Sequence, residues 1–392
     1  MALEKARIAV VYDWFDKWGG VERVLLTIAE MFPHAEFYTS YFDKKEASWG
    51  KNLDITTSFM QKLPSFIKKR RVLSLSFYPY AFEAFDFSDY ALVLSISSSF
   101  AKAVITKPET LHLSYLLTPT RYFWIDPDTY LNTLLKKLGY ALLPKLRKWD
   151  YIAAQRPDYM IAISKTVAAR CRKYYDREAE MIYPPFNLDY WQKVKFEIRN
   201  SKFGTNSKFT VLNSKFYLVV ARLEPYKKVG LVVEVFNRLG ESLVIVGKGS
   251  EIATLKRTAK NNVTFFSDLS DEDLAGLYQN AQALIMPQEE EFGYVSLEAQ
   301  YFGCPVIAYE QGGAGETVID GKTGIFFEKQ ASDALSWALE RFRRISYNLR
   351  VNTKRYGPES AKKFAKERFI SDFNSFINSK LKVQSAKLQR KT

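Results

Sequence analysis

The sequence predicts an α/β protein of two doubly wound, Rossmann-like domains, and three observations carry that expectation. The chain opens with an apolar run, Arg7-Ile8-Ala9-Val10-Val11-Tyr12, then a Lys17-Trp18-Gly19-Gly20 turn, then Val21, Val24, Leu25, Ile28, Ala29 and Phe32 at helical spacing. That order is one βα unit. A second alternating series starts at Phe216, after a polar, aperiodic stretch over 186–214. At 392 residues each half is long enough to bury a core of its own. The expected division is 1–190 for the first domain and 191–214 for a linker. The second domain takes 215–360, and a C-terminal helix with a basic tail takes 361–392.

In the first half further strands are expected at Tyr90–Ser95, Leu111–Leu117 and Tyr159–Ile163, separated by segments rich in Phe, Tyr and Leu. The second half reads more cleanly. Its strands are expected at Phe216–Ala221, Ser242–Val246, Val263–Phe266, Ala283–Met286 and Val306–Tyr309, with Gly324–Phe327 closing the run. Strands alternating with helices across short loops imply parallel sheets. The last amphipathic segment runs from Phe364 to Ile377.

Composition narrows the class. Cys171 and Cys304 are the only cysteines and have neither disulfide-framework nor metal-ligand spacing. The N-terminus does not read as a secretory signal, and no apolar run approaches a membrane span. A reduced, cytoplasmic protein is the expectation. The formal charge of +14 is concentrated late: residues 341–392 hold 15 Lys+Arg against 3 Asp+Glu, or +12. Two earlier basic segments, Lys68 to Arg71 and Lys136 to Lys148, are interleaved with Leu, Phe, Ile and Tyr. That mixture suits an anionic membrane surface, and equally a solvated face. A nucleic-acid role for the basic tail is the reading from another class, but no recognisable nucleic-acid module accompanies it.

The most informative stretch is Pro287 to Gly315, PQEEEFGYVSLEAQYFGCPVIAYEQGGAG. It places Glu290 eight positions before Glu298, with Phe292-Gly293 between them. The apolar residues 283–286 read as a strand, and Val295 to Ala299 as a helix start. Gly293 then sits at a turn where backbone N–H groups and the positive helix end face a ligand. Two acceptor-only carboxylates beside an anion-binding helix end suit a ligand with hydroxyls at both ends and phosphate between.

This stretch resembles the E-x7-E signature of retaining glycosyltransferases of family 4, whose GT-B fold implies two Rossmann-like domains facing a cleft and a C-terminal helix that crosses back to the first domain. The EFG triplet, Gly303-x-Pro305-Val306-Ile307 and Gly312-Gly313-x-x-Glu316 follow in the family's order. The resemblance covers nearly the whole chain and is strongest over 216–327. It extends to bacterial mannosyltransferases of polysaccharide and O-antigen assembly through three segments: Tyr115 to Trp124, Tyr183-Pro184-Pro185, and Arg222-Leu223-Glu224-Pro225-Tyr226-Lys227-Lys228.

The family's R-x4-K pair falls on Arg222 and Lys227, a fork and a mobile point charge that neutralise a leaving nucleoside diphosphate. The resemblance implies that Glu290 holds hydroxyls of the transferred sugar, Glu298 the ribose hydroxyls, and the backbone of Phe292, Gly293, Tyr294 and Val295 the sugar and phosphate. It implies a nucleotide contact at Lys248-Gly249, a diphosphate contact at Gly20, and an acceptor-side role for Arg121 and Tyr122. Many relatives carry a His where Leu117 stands here. His112, five residues earlier, is roughly 17 Å from Leu117 at about 3.3 Å per residue and faces the other way, so it is no substitute. Asp126-Pro127-Asp128 and Asp271-Glu272-Asp273 match a DxD metal motif by spacing, but both read as structural, so no metal and no cofactor is expected.

The implied activity is retaining transfer of a hexose, mannose from GDP-mannose, to a glycan or polyprenyl-linked acceptor, and the basic segments around Lys68 to Arg71 and Lys136 to Lys148 point to docking on the inner membrane face. Retention in this family is described as front-face attack, the donor phosphate taking the acceptor proton. A GT-B sugar-nucleotide epimerase is the enzymatic alternative, and a basic nucleic-acid- or membrane-binding protein the non-enzymatic one.

Overall fold

The computed structural model describes residues 6–68, 71–130, 136–200 and 215–389. The chain divides into two compact units, one of residues 1–185 with 366–392 and one of residues 186–365. In the first unit β1 (Ile8–Tyr12), β2 (Glu36–Thr39), β3 (Ile55–Thr57), β4 (Leu92–Ser97), β5 (Leu111–Leu116), β6 (Tyr159–Ala162) and β7 (Ala179–Met181) form a parallel sheet ordered β3-β2-β1-β4-β5-β6-β7. Every residue of β1, β4 and β5 is buried, as expected for central strands covered on both faces. β2, β3 and β7 lack such uniform apolar runs, and they are the strands the sequence did not reveal.

An aromatic core fills one face of this sheet. Tyr78 stacks on Phe100 at 4.4 Å, with Phe82, Phe87 and Trp14 in the same cluster. This packing accounts for the Phe- and Tyr-rich connections of the first half. The helix Lys366–Gln389 belongs to the same unit, where Phe369 and Phe373 meet the Tyr115 ring at 5.9 and 5.8 Å.

The second unit holds β8 (Phe216–Val220), β9 (Ser242–Val246), β10 (Val263–Phe266), β11 (Leu284–Met286), β12 (Val306–Tyr309) and β13 (Gly324–Phe327), all parallel and ordered β10-β9-β8-β11-β12-β13. Its core gathers Val219, Ile245, Ile285 and Ile307 from the sheet against Phe236 and Phe342 from helices.

One expectation needs correction. Residues 191–200 of the expected linker belong to a helix, Leu188–Asn200, packed within the second unit. Trp191, Val194 and Ile198 are buried, at i, i+3 and i+7, a helical stripe diluted by the polar residues around it. Residues 201–214 lie outside the described residues.

Candidate active site

In doubly wound sheets, ligands bind beyond the carboxyl ends of the strands where the strand order reverses. In the second unit that point lies between the neighbours β8 and β11, which pair at Leu218 and Leu284. The predicted residues leave from there. Lys227 sits in the short 3₁₀ turn Pro225–Lys227 after β8, and Glu290 in the loop after β11. Their side chains meet: Lys227 Nζ lies 2.5 Å from Glu290 Oε1, with 11% and 16% of the two side chains exposed. Gln288 Nε2 donates to the same oxygen at 2.6 Å. The Glu290 carbonyl accepts from Gly313 N at 2.7 Å, tying the Gly312-Gly313 loop to this turn. Arg222 points to Tyr226, donating to its hydroxyl at 2.6 Å, and the Tyr226 ring also lies 5.3 Å from Lys227 Nζ.

Gly293 opens the helix Tyr294–Tyr301 with φ +94°, a left-handed conformation that favours glycine. Glu298 projects from that helix and is buried, accepting from the Tyr278 hydroxyl at 3.0 Å. Phe292 is buried too, its ring against Phe364 at 5.3 Å. Its side chain is core, and only its backbone is placed to serve a ligand. Tyr294 and Val295 form the half-buried first turn of the helix.

Lys248 and Gly249 follow β9. Leu223 N donates to the Lys248 carbonyl at 2.7 Å, and a Cβ at Gly249 would stand 2.3 Å from the Leu223 carbonyl oxygen. That glycine is required by the close approach of two loops, whatever else it serves. The Lys248 ammonium is exposed and pairs with Asp268.

The first unit presents its own reversal point between β1 and β4. Asp13, fully buried just after β1, accepts from Ser98 N at 2.7 Å, Ser98 Oγ at 2.8 Å, Phe100 N at 2.7 Å and Ala101 N at 2.8 Å. Gly20 is exposed and precedes the helix Val21–Met31. Glu22 in the first turn is buried, and desolvation pushes its carboxyl up to about 7 against the opposing pull of backbone N–H groups and Lys17.

Arg121 and Tyr122 begin the short helix Arg121–Trp124. A buried ion pair that the sequence did not reveal holds this segment. Lys102 Nζ lies 2.7 Å from Asp150 Oδ1, both side chains fully buried. Asp150 also accepts from Thr120 Oγ1 at 2.9 Å, Trp124 Nε1 at 2.7 Å and the Tyr175 hydroxyl at 2.8 Å. Tyr122 donates to Ser99 Oγ at 2.6 Å.

His112 is a strand residue, fully buried, with Nε2 3.0 Å from Ser95 Oγ. Desolvation, with Arg177 and Arg156 adding to it, lowers its pKa to about 3, so the imidazole is neutral. Asp271 to Asp273 form the first turn of the helix Asp271–Asn280. Ser270 Oγ caps that helix by accepting from Asp273 N at 3.1 Å.

Residues 204–360 match the family described as glycosyl transferases group 1. Over that stretch the chain is similar to group 1 glycosyl transferases. Its fold is GT-B, shown by solved structures such as that of Anabaena HepE in complex with UDP. That structure has TM-score 0.68 and 16% identity, and the match covers 95% of this chain and all of that one. Among curated relatives, this chain is 27% identical over 282 residues to the O-antigen chain mannosyltransferase C of Escherichia coli, covering 69% of this chain and 71% of the relative. It is 33% identical over 221 residues to a GDP-mannose-dependent α-(1-6)-phosphatidylinositol monomannoside mannosyltransferase of Mycolicibacterium smegmatis, covering 52% of this chain and 57% of the relative. A glycogen synthase of Xanthomonas campestris is 29% identical over 177 residues, 42% of this chain and 36% of its own length.

Proposed function

We propose that this protein is a glycosyltransferase that moves mannose from GDP-mannose, with retention, onto a glycan or polyprenyl-linked acceptor. The observation that carries the reading is the Lys227–Glu290 pair at the tips of β8 and β11. One member is suited to a phosphate and the other to sugar hydroxyls, and each neutralises the other until a donor arrives. As the bond between sugar C1 and phosphate oxygen breaks, Arg222 and Lys227 take up charge developing on the leaving diphosphate. The acceptor oxygen bonds to C1 and its proton passes to that phosphate. Within the second unit, Glu298, Lys248, Gly249 and the backbone of residues 292–295 hold the rest of the donor. The mannosyl assignment draws on the two mannosyltransferase relatives. A glucosyl donor is the second reading, favoured by the glycogen synthase match.

Thermal-shift titration with GDP-mannose and UDP-glucose tests the donor: GDP-mannose should raise Tm, and stabilisation by UDP-glucose alone would overturn the assignment. Incubation with donor alone should return it unepimerised.

Docking on the inner face of the cytoplasmic membrane is part of the proposal. Among the described residues no helix is long and apolar enough to cross a membrane. Exposed Phe66 and Leu73 flank the Lys68 to Arg71 run, of which residues 69 and 70 lie outside the described residues. The helix Lys136–Ala153 exposes Leu142, Tyr151 and Ile152. Each cation near an anionic surface is worth about 1 kcal/mol. Sedimentation with anionic vesicles should fall when residues 68–71 become Ser, and equal partitioning onto neutral vesicles would contradict it.

A further inference from the structure

Gln288 is 2% exposed and two positions before Glu290. A carboxylate only accepts hydrogen bonds, so the NH2 end of the amide must face Glu290, and Nε2 donates to Glu290 Oε1 at 2.6 Å. The other end, Oε1, is buried with no hydrogen-bond partner. An unpaired buried carbonyl is unfavourable, and an apolar side chain would fill the space at lower cost. Stability therefore does not explain a glutamine here. The hydrogen bond it makes is to the carboxylate that Lys227 also holds, on the same oxygen, at 2.5 Å. Gln330 Nε2 donates to the Pro287 carbonyl at 2.7 Å, which fixes the backbone from which Gln288 projects.

We propose that Gln288 is a positioning residue for Glu290: its amide holds the carboxylate orientation when a donor draws Lys227 towards the diphosphate. The inference rests on the reading of Glu290 as the carboxylate that holds the transferred sugar. With Lys227 engaged by phosphate, the Lys227 hydrogen bond to Glu290 Oε1 is lost while the neutral Gln288 amide still donates to that oxygen. Neutrality matters, because Glu289 and Glu291 flank the site in sequence and Lys227 is the cation paired with Glu290. A second carboxylate at position 288 would stand 2.6 Å from Glu290, where like charges favour a shared proton.

The test compares the parent with Gln288→Leu and Gln288→Glu, using GDP, GDP-mannose and UDP-glucose. Gln288→Leu should lose about 10–100-fold in kcat/KM, the range for a hydrogen bond to a charged group. Its affinity for GDP, which lacks the sugar, should match the parent. Gln288→Glu should retain transfer at acid pH, where a protonated carboxyl donates as the amide does, and lose it progressively as pH rises while the parent does not. Parent-like kinetics in Gln288→Leu, or parallel pH profiles for Gln288→Glu and parent, would overturn the inference. If the parent binds neither nucleotide-sugar, the functional reading fails instead, and the two failures are told apart.

Discussion

Lys227 Nζ and Glu290 Oε1 are 2.5 Å apart, on loops leaving the two strands that flank the reversal of strand order in the second unit. The pair joins residues 63 apart in sequence. Parallel pairing of β8 and β11 makes it possible, because adjacent parallel strands deliver their following loops to the same edge. Ligand-free, the cation and the carboxylate satisfy each other. In the proposed reading a nucleotide-sugar offers phosphate to Lys227 and hydroxyl donors to Glu290, so donor binding gives each side chain a new partner.

Arg222→Ala and Lys227→Ala should each raise the barrier by about 2–4 kcal/mol, the loss expected for one preorganised stabiliser of developing charge. Steady-state kinetics checks this, and donor affinity should weaken as well. If both variants keep the parent kcat/KM, the diphosphate is held elsewhere.

Breaking the buried Lys102–Asp150 pair should destabilise the first unit. Asp150→Ala leaves an ammonium with no counter-charge at a fully buried site, and also strips acceptors from Thr120, Trp124 and Tyr175. A loss of about 3–5 kcal/mol is expected from urea denaturation. Lys102→Met combined with Asp150→Leu should cost less than Asp150→Ala alone, since no charge is then stranded.

His112 and Glu22 should give opposite pH dependences. His112 falls from an ordinary 6.5 to about 3, so the unfolded chain takes up a proton over that window that the folded chain refuses. Stability should therefore drop as pH falls from about 6.5, and His112→Gln should flatten that limb. Glu22 rises from 4.5 to about 7, so its contribution is present below 4.5 and is lost as pH rises through about 7. Urea midpoints at about pH 5 and pH 8 should show Glu22→Gln gaining on the parent at the higher pH.

Transfer is expected to persist in EDTA, charge neutralisation falling to Arg222 and Lys227. Among the described residues no three His, Cys, Asp or Glu side chains converge as a ligand set. Complete loss in chelator, restored by Mn²⁺ or Mg²⁺, would contradict this.

Much of the second unit was legible because its strands are continuous apolar runs bounded by short polar loops, and Glu290, Lys227 and Glu298 lie in spaced motifs. Gln288 and Tyr278 were not legible. An isolated Gln or Tyr carries no periodic signal, and its meaning comes from the Glu it faces. Lys102 and Asp150 are 48 positions apart and meet only through the tertiary fold. Glu22 stands in the first turn of the helix Val21–Met31, where an acidic residue is ordinary, and its burial comes from the surrounding structure. The helix Leu188–Asn200 was missed because Trp191, Val194 and Ile198 stand among mostly polar residues and an exposed Phe196, which gives a weak stripe.

The most direct test of the account is transfer by Glu290→Gln, measured as GDP released from GDP-mannose together with glycosylated product. The substitution removes one charge and keeps the shape, so the variant should fold as the parent does and lose nearly all transfer. A correctly folded Glu290→Gln that transfers at close to the parent rate would contradict the assignment of this carboxylate, and with it the site.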